Sequence, residues 1–235
     1  MSLDLALLSG GYLAIPVATK DRPGPWPGVV VVHDAVGLSD DMREQADWLA
    51  AAGFVAFVPD LYGGKSMLRC IKGVFGQLSA RQGPAFDQID AARAALAARP
   101  SCTGTVGVIG YCMGGAFALL LAARPGWSAS SVNYGVVPDD VAEVLSGACP
   151  VIGSFGGKDL GLKGAAAKLQ RGADAAGIVA DIKEYPTAGH SFLNRLAVAS
   201  PLTPLLKVGG IGYQHGAAAD AKQRILAFFD THLRA

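Results

Sequence analysis

Short runs of β-branched and other apolar residues recur along the chain with room for one helix between them, and no other feature narrows the fold as far. "GVVVVHD", "FVAFVPDLY", "TVGVIG" and "CPVIGSFGG" show no polar alternation. A half-exposed strand alternates apolar and polar residues, whereas an unbroken apolar run reads as a strand buried on both faces. Between these runs lie stretches of helical length. "SDDMREQADWLAAAGF" repeats Met42, Ala46, Leu49 and Ala50 on one face, with Ser39 placed as a cap, Asp40 and Asp41 at the positive end, and Gly53 as the stop. "AFDQIDAARAALAARP" and "MGGAFALLLAARP" close on prolines. "DDVAEVLS", "LKGAAAKLQRGADAAG" and the C-terminal "AAADAKQRILAFFDTHLRA" read as further helices, and "SASSVNYGV" and "VADIKEY" as further strands. Such alternation predicts an α/β fold: a mostly parallel central sheet, helices on both faces and right-handed crossovers. With 235 residues, about half of them apolar, residues 1–235 are expected to form a single domain with a single core.

Two stretches depart from this rhythm. "LDLALLSGGYLAIPVA" alternates about Gly10–Gly11 and suggests a hairpin. Residues 63–83, including "KSMLRCIKGVF", are irregular and read as a short cap, a lid or a surface excursion.

Charge and cysteine usage exclude several classes. The formal net charge is +1, with Lys and Arg scattered, which gives no support for nucleic acid or an anionic membrane as partner. The first residues lack a basic start and carry Asp4, unlike a signal peptide, and runs such as "AFALLLAA" are too short to span a bilayer. Cys70, Cys102, Cys112 and Cys149 form no C-x-x-C pair, so no metal site is expected, and all four are read as reduced thiols of a cytoplasmic protein.

One of those cysteines stands where a strand turns into a helix. In "VGVIGYCMGG", Gly110, Cys112 and Gly114 fit the small-x-nucleophile-x-small pattern of a nucleophile elbow, with a strand before and "GGAFALLLAA" after. Small neighbours are required because the strand and helix backbones approach closely there. A thiol at a helix N-terminus feels the positive end of the dipole, and the Met113 N–H can donate to a developing oxyanion. A buried structural cysteine is the bland alternative. The Rossmann pattern fails, because Cys112 occupies the place of the second glycine.

A nucleophile needs a base, and on folds with such an elbow the order is nucleophile, acid, histidine. His33 precedes the elbow and reads as a satisfied strand-end histidine. His215 is assigned to a glycine-rich loop, and His232 to a helix C-terminus. His190 in "EYPTAGHSF" follows a strand and is the best base. For the acid, Asp159 in "GGKDL" follows a strand end, with a helix cap as its alternative role. Asp181 is expected to face solvent, and Asp139 and Asp140 to begin a helix.

These residues together resemble the dienelactone hydrolase family, a branch of the α/β-hydrolase fold with a cysteine nucleophile. The likeness runs from "PGVVVVHDAVGLSDDMREQADWLAAAGFVAFVPDLY" through "VGVIGYCMGG" and "GGKD" to "AGHSF". The resemblance implies a Cys112–His190–Asp159 triad, with oxyanion donors on Met113 and Ala35. Where the family carries a glutamate against the nucleophile, this chain has Asp34, one methylene shorter, for which a turn or cap role is the alternative. Where the family has an arginine for a substrate carboxylate, "HSFLNR" places Asn194, with Arg195 beside it. Arg69, Lys72 and Arg81 are candidates for a second basic contact, surface charge being the plainer reading of each, and Tyr111 is a candidate lining residue.

The implied reaction is hydrolysis of an ester or lactone through a thioester. A thiolate is a better leaving group than an ordinary alkoxide, since a thiol's reference pKa is about 8.5. Acylation therefore favours enol-lactones and aryl esters over alkyl esters and amides. The expected partner is a small-molecule ester or lactone, acted on by a monomer or small homo-oligomer without a cofactor. The alternatives on the same scaffold are a redox-sensing thiol protein and a non-catalytic ligand-binding module.

Overall fold

Successive residues of a strand point to opposite faces of its sheet, so a doubly buried strand must feed two cores at once. In the computed structural model, which describes residues 10–21, 23–195 and 212–234, the first apolar run does so. Strand β2 (Trp26–Val32) sends Val30 and Val32 into one core and Val29 and Val31 into the other. Its neighbours are β3 (Val55–Val58) and the long β4 (Cys102–Tyr111). With β1 (Tyr12–Ala14), β5 (Ser130–Asn133), β6 (Val151–Gly156) and β7 (Ala180–Tyr185), they form a seven-stranded sheet in the order β1-β3-β2-β4-β5-β6-β7. All pairs are parallel except β1 with β3.

The first core lies under α3 (Pro84–Ala97), α4 (Met113–Leu121) and α6 (Ala165–Ala176), through Ile89, Phe117 and Leu169. The second lies under α1 (Asp40–Ala51) and the C-terminal helix α7 (His215–Leu233), through Met42, Leu49, Ile225 and Phe229. This is the mostly parallel sheet covered on both faces that the apolar runs predict. Helix α1 starts as expected, with the Ser39 hydroxyl accepting from the Met42 N–H. The remaining helices are α2 (Met67–Ala80) and the short α5 (Val141–Val144), which Asp140 precedes.

Three expectations are corrected. The core is not single, because the sheet divides it in two. Residues 63–83 are not irregular, because α2 occupies most of them; only Val74 of that helix is buried, with Cys70 and Leu78 packed beside it against the first core. His215 is not in a loop but opens α7, where the preceding Gln214 side chain accepts from the Ala217 N–H. The strand after Gly10–Gly11 pairs with β3, and the other arm of the expected hairpin lies outside the described residues. No helix among the described residues is long and apolar enough to cross a membrane.

Candidate active site

Strand β4 ends and α4 begins at a single residue, Cys112, which takes φ 55 and ψ −114. Positive φ is costly for a residue with a side chain, and it persists where the surroundings leave no alternative. Here the surroundings are backbone. A Cβ on Gly110 would sit 1.9 Å from the Gly114 carbonyl oxygen, and one on Gly114 would sit 2.1 Å from that of Val32. Strand β2, strand β4 and helix α4 therefore converge on a turn that only glycine permits on either side of the cysteine. The Cys112 N–H donates to the Asn133 carbonyl at 3.1 Å, tying the turn to β5. The thiol is partly exposed, and it stands at the positive end of α4.

The acid and the base come from the ends of β6 and β7. Gly156 ends β6, and a Cβ there would meet the Gly189 carbonyl oxygen at 2.5 Å, so the two loops lie backbone to backbone. The Gly157 and Lys158 N–H groups donate to the Tyr185 and Ala188 carbonyls at 2.8 and 2.9 Å. This contact sets Asp159 against His190, with Nδ1 2.6 Å from Asp159 Oδ2. The other oxygen, Oδ1, accepts from the Gly161 N–H at 3.1 Å, capping the short 3-10 turn Leu160–Leu162. Asp159 thus caps a turn and orients a histidine with different oxygens.

Burial works to lower the pKa of His190. It is outweighed by the side-chain hydrogen bond and charge of Cys112, then by those of Asp159, and the imidazole is pushed up to about 9. The structure therefore joins His190 to Asp159 by a hydrogen bond and places the Cys112 side chain where it acts on the imidazole.

The loop after β2 forms the opposite wall. Asp34 is buried, and its Oδ1 accepts from the Val36 N–H at 2.8 Å, an Asx turn. Burial raises its carboxyl to about 6; the neighbouring Asp41 charge adds to this, and the Val36 and Gly37 N–H groups and His190 oppose it. His33 is wholly buried and uses both ring nitrogens. Nδ1–H donates to the Asp34 carbonyl at 2.6 Å, and Nε2 accepts from the Leu61 N–H at 3.2 Å. That pattern requires the neutral ring, and burial lowers its pKa accordingly. Tyr62 donates from its hydroxyl to the Ala35 carbonyl at 2.8 Å, which fixes the peptide beside the expected oxyanion donor.

The remaining candidates are placed elsewhere. Arg81 closes α2 and pairs twice with Asp140, at 2.6 and 2.8 Å. Arg69 and Lys72 are exposed on α2. Arg195 is exposed, with its guanidinium 4.6 Å over the Tyr213 ring. Tyr111 is fully buried and donates to Gln45 Oε1 at 3.3 Å. Asn194 is also fully buried; its amide faces Asp41 and the Tyr134 hydroxyl, so its polar atoms are spent inside the protein. Asp181 is exposed and ion-paired with Arg224.

Sequence reasoning missed Tyr134, Tyr62, Asp41 and Gln45. Tyr134 follows β5 at φ 40, with its ring edge against His190 at 5.3 Å between centroids. Its position at the carboxyl end of a central strand is the signal that could have found it. Among the described residues, no group of three or more His, Cys, Asp or Glu side chains is arranged to hold a metal ion.

Residues 10–233 match the model of the dienelactone hydrolase family. Carboxymethylenebutenolidases of Pseudomonas putida and of Pseudomonas knackmussii are each 28% identical over 87% of this chain and 85% of their own length. Among solved structures, the dienelactone hydrolase-like promiscuous phosphotriesterase P91 from metagenomic libraries superposes with a TM-score of 0.76 at 25% identity, covering 94% of this chain and 92% of its own.

Proposed function

This chain belongs to the dienelactone hydrolase family and is a carboxymethylenebutenolidase-like hydrolase, and on that premise we propose that it cleaves activated esters and lactones through Cys112, His190 and Asp159. The observation that carries the reading is the arrangement itself: a strained elbow cysteine whose side chain acts on the ionisation of a histidine, and that histidine bonded at 2.6 Å to a buried carboxylate.

The steps follow from the geometry. Asp159 holds Nδ1, which leaves Nε2 for the thiol. With its pKa raised to about 9, His190 already holds the proton at neutral pH, and the Cys112 sulfur bonds to the carbonyl carbon as the thiolate. The carbonyl oxygen becomes an oxyanion and accepts from the Met113 and Ala35 N–H groups. Met113 opens α4, so its N–H has no acceptor within the helix. When the carbonyl re-forms, the carbon–oxygen bond breaks and the leaving oxygen takes the proton from His190. A thioester remains. Water then gives a proton to His190 and attacks the thioester, and the sulfur leaves as the thiolate beside the protonated His190. These steps need no cofactor.

Asp34 is the group that tunes this centre, since its carboxyl changes charge near pH 6 beside the nucleophile's loop. A sulfur leaving group competes with the substrate's own oxygen, so aryl esters and enol-lactones are the preferred substrates. Hydrolysis of a p-nitrophenyl ester and of an enol-lactone by the native protein and by Cys112→Ala is the direct test. Turnover lost in the variant supports the cysteine hydrolase, and equal rates in both would refute it. Alkyl esters turning over as fast as matched aryl esters would refute the leaving-group argument.

A further inference from the structure

The segment that follows His190 is held from behind by buried polar groups of α1. Asp41 lies in the first turn of that helix, and its carboxylate is almost wholly enclosed. Oδ1 accepts from the Arg195 N–H at 2.7 Å, and Oδ2 accepts from Asn194 Nδ2 at 2.5 Å. One helical turn on, Gln45 Nε2 donates to the Leu193 carbonyl at 3.1 Å. The Asn194 N–H closes the turn onto the Ser191 carbonyl at 2.9 Å.

The direction of this chain of bonds is fixed by chemistry. An ionised carboxylate only accepts, so the amide nitrogen of Asn194 must face Asp41. Its oxygen is then turned toward Tyr134, whose hydroxyl donates to it. The Tyr134 ring lies edge-on to His190 and to Phe192, at 5.3 and 5.5 Å. Two residues on either side of the imidazole take positive φ: Tyr134 at 40 and Ser191 at 61. Such conformations persist where the surroundings over-determine them. A buried ionised group contributes little net stability compared with apolar packing of the same volume. What Asp41 and Asn194 supply is orientation.

We propose that Asn194 and Asp41 are positioning residues, which through Tyr134 and the 191–195 turn hold the His190 imidazole in its working geometry. The site at position 194 is then part of the base's support, not a contact for a substrate carboxylate. The proposal rests on His190 being the base.

Exchanging the two side chains tests it. Asp41→Asn offers one acceptor where two N–H donors converge. Asn194→Asp sets two carboxylates against each other. In the double variant Asp41→Asn/Asn194→Asp, the amide at position 41 donates to the carboxylate at 194. Its oxygen still accepts from Arg195, and the other carboxylate oxygen still accepts from Tyr134. Turnover of a p-nitrophenyl ester is measured across the pH range of the base, well below each variant's unfolding temperature. Tyr134→Phe is included because it removes only the hydroxyl and keeps the ring packed.

Each single variant is expected to lower kcat by about tenfold or more, with KM changed less than about threefold, and to displace the pH limb assigned to His190. The double variant is expected to recover kcat to within about threefold of native. A purely structural role would lower the unfolding temperature and leave the pH limb in place, and that result overturns the proposal. Native kcat in Asn194→Asp or Tyr134→Phe overturns it too, as does a double variant no better than the worse single. His190→Gln separates the two readings. If it retains native turnover, the base assignment has failed. If it is inactive while Asn194→Asp is unimpaired, only the positioning proposal has failed.

Discussion

Cys112 and His190 each exist in a state that the isolated side chain would not adopt. The cysteine is held at φ 55 by backbone contacts through Gly110 and Gly114. The histidine is partly buried, which favours its neutral form, yet its pKa is about 9 because Cys112 and Asp159 outweigh burial. The ordinary imidazole value is near 6.5. A raised value in the folded state contributes stability that is fully present below about pH 6.5 and is lost as pH rises through about 9. Cys112 makes the largest upward contribution. In Cys112→Ala the His190 titration, followed by NMR at the imidazole Cε1–H, is therefore expected to fall from about 9, with Asp159 alone left to oppose burial. The same variant should show a shallower loss of stability between about pH 6.5 and 9 in urea titrations. A titration that stays at the native value would mean that the sulfur is not the histidine's partner.

At the scale of elements, legibility followed burial of apolar groups. The strands were readable because Val29 to Val32 and Val55 to Val58 are buried on both faces, a demand that only an unbroken apolar run meets. The elbow was readable because close backbone approach admits only small residues at positions 110 and 114. Helix α2 was not, because only Val74 is buried, Cys70 and Leu78 are partly so, and the exposed Leu68 and Phe75 blur that apolar face. The buried face of α1 was half readable: its apolar positions gave Met42, Ala46, Leu49 and Ala50, but Asp41 and Gln45 resemble surface residues until their partners near position 194 are seen. Long-range polar pairing leaves no periodic trace. The thin attachment of α2 has a measurable consequence. With one buried side chain it should open locally at a lower free energy than α4, nearly all of whose residues are buried. Native-state hydrogen exchange is expected to show α2 amides exchanging well before those of α4, and Val74→Ala should accelerate α2 selectively. Equal protection in the two helices would place α2 within the cooperative core.

At the scale of the whole molecule, one sheet separates two cores, with Cys112 and Leu162 packed against both. Ile89 of α3 is fully buried in one, and Ile225 of α7 is fully buried in the other. From Val29 to Val32 of β2 each residue alternates between them, and in β4 Val108 belongs to the first core and Ile109 to the second. Neither core can lose its packing without exposing strands that the other depends on, which argues for a single cooperative transition. Side chains on opposite faces share no cavity, however, so their individual costs should not couple. Ile89→Val and Ile225→Val are each expected to cost about 0.5–1.5 kcal/mol. Together they should cost the sum within about 0.5 kcal/mol, with an unchanged urea m-value and coincident transitions by fluorescence and circular dichroism. Separate transitions for the two variants would show that the sheet insulates its faces energetically as well as sterically. A coupling well beyond that margin would show that strain passes through the strands, in which case the loops at their carboxyl ends, where Cys112, Asp159 and His190 stand, would feel changes made on either side.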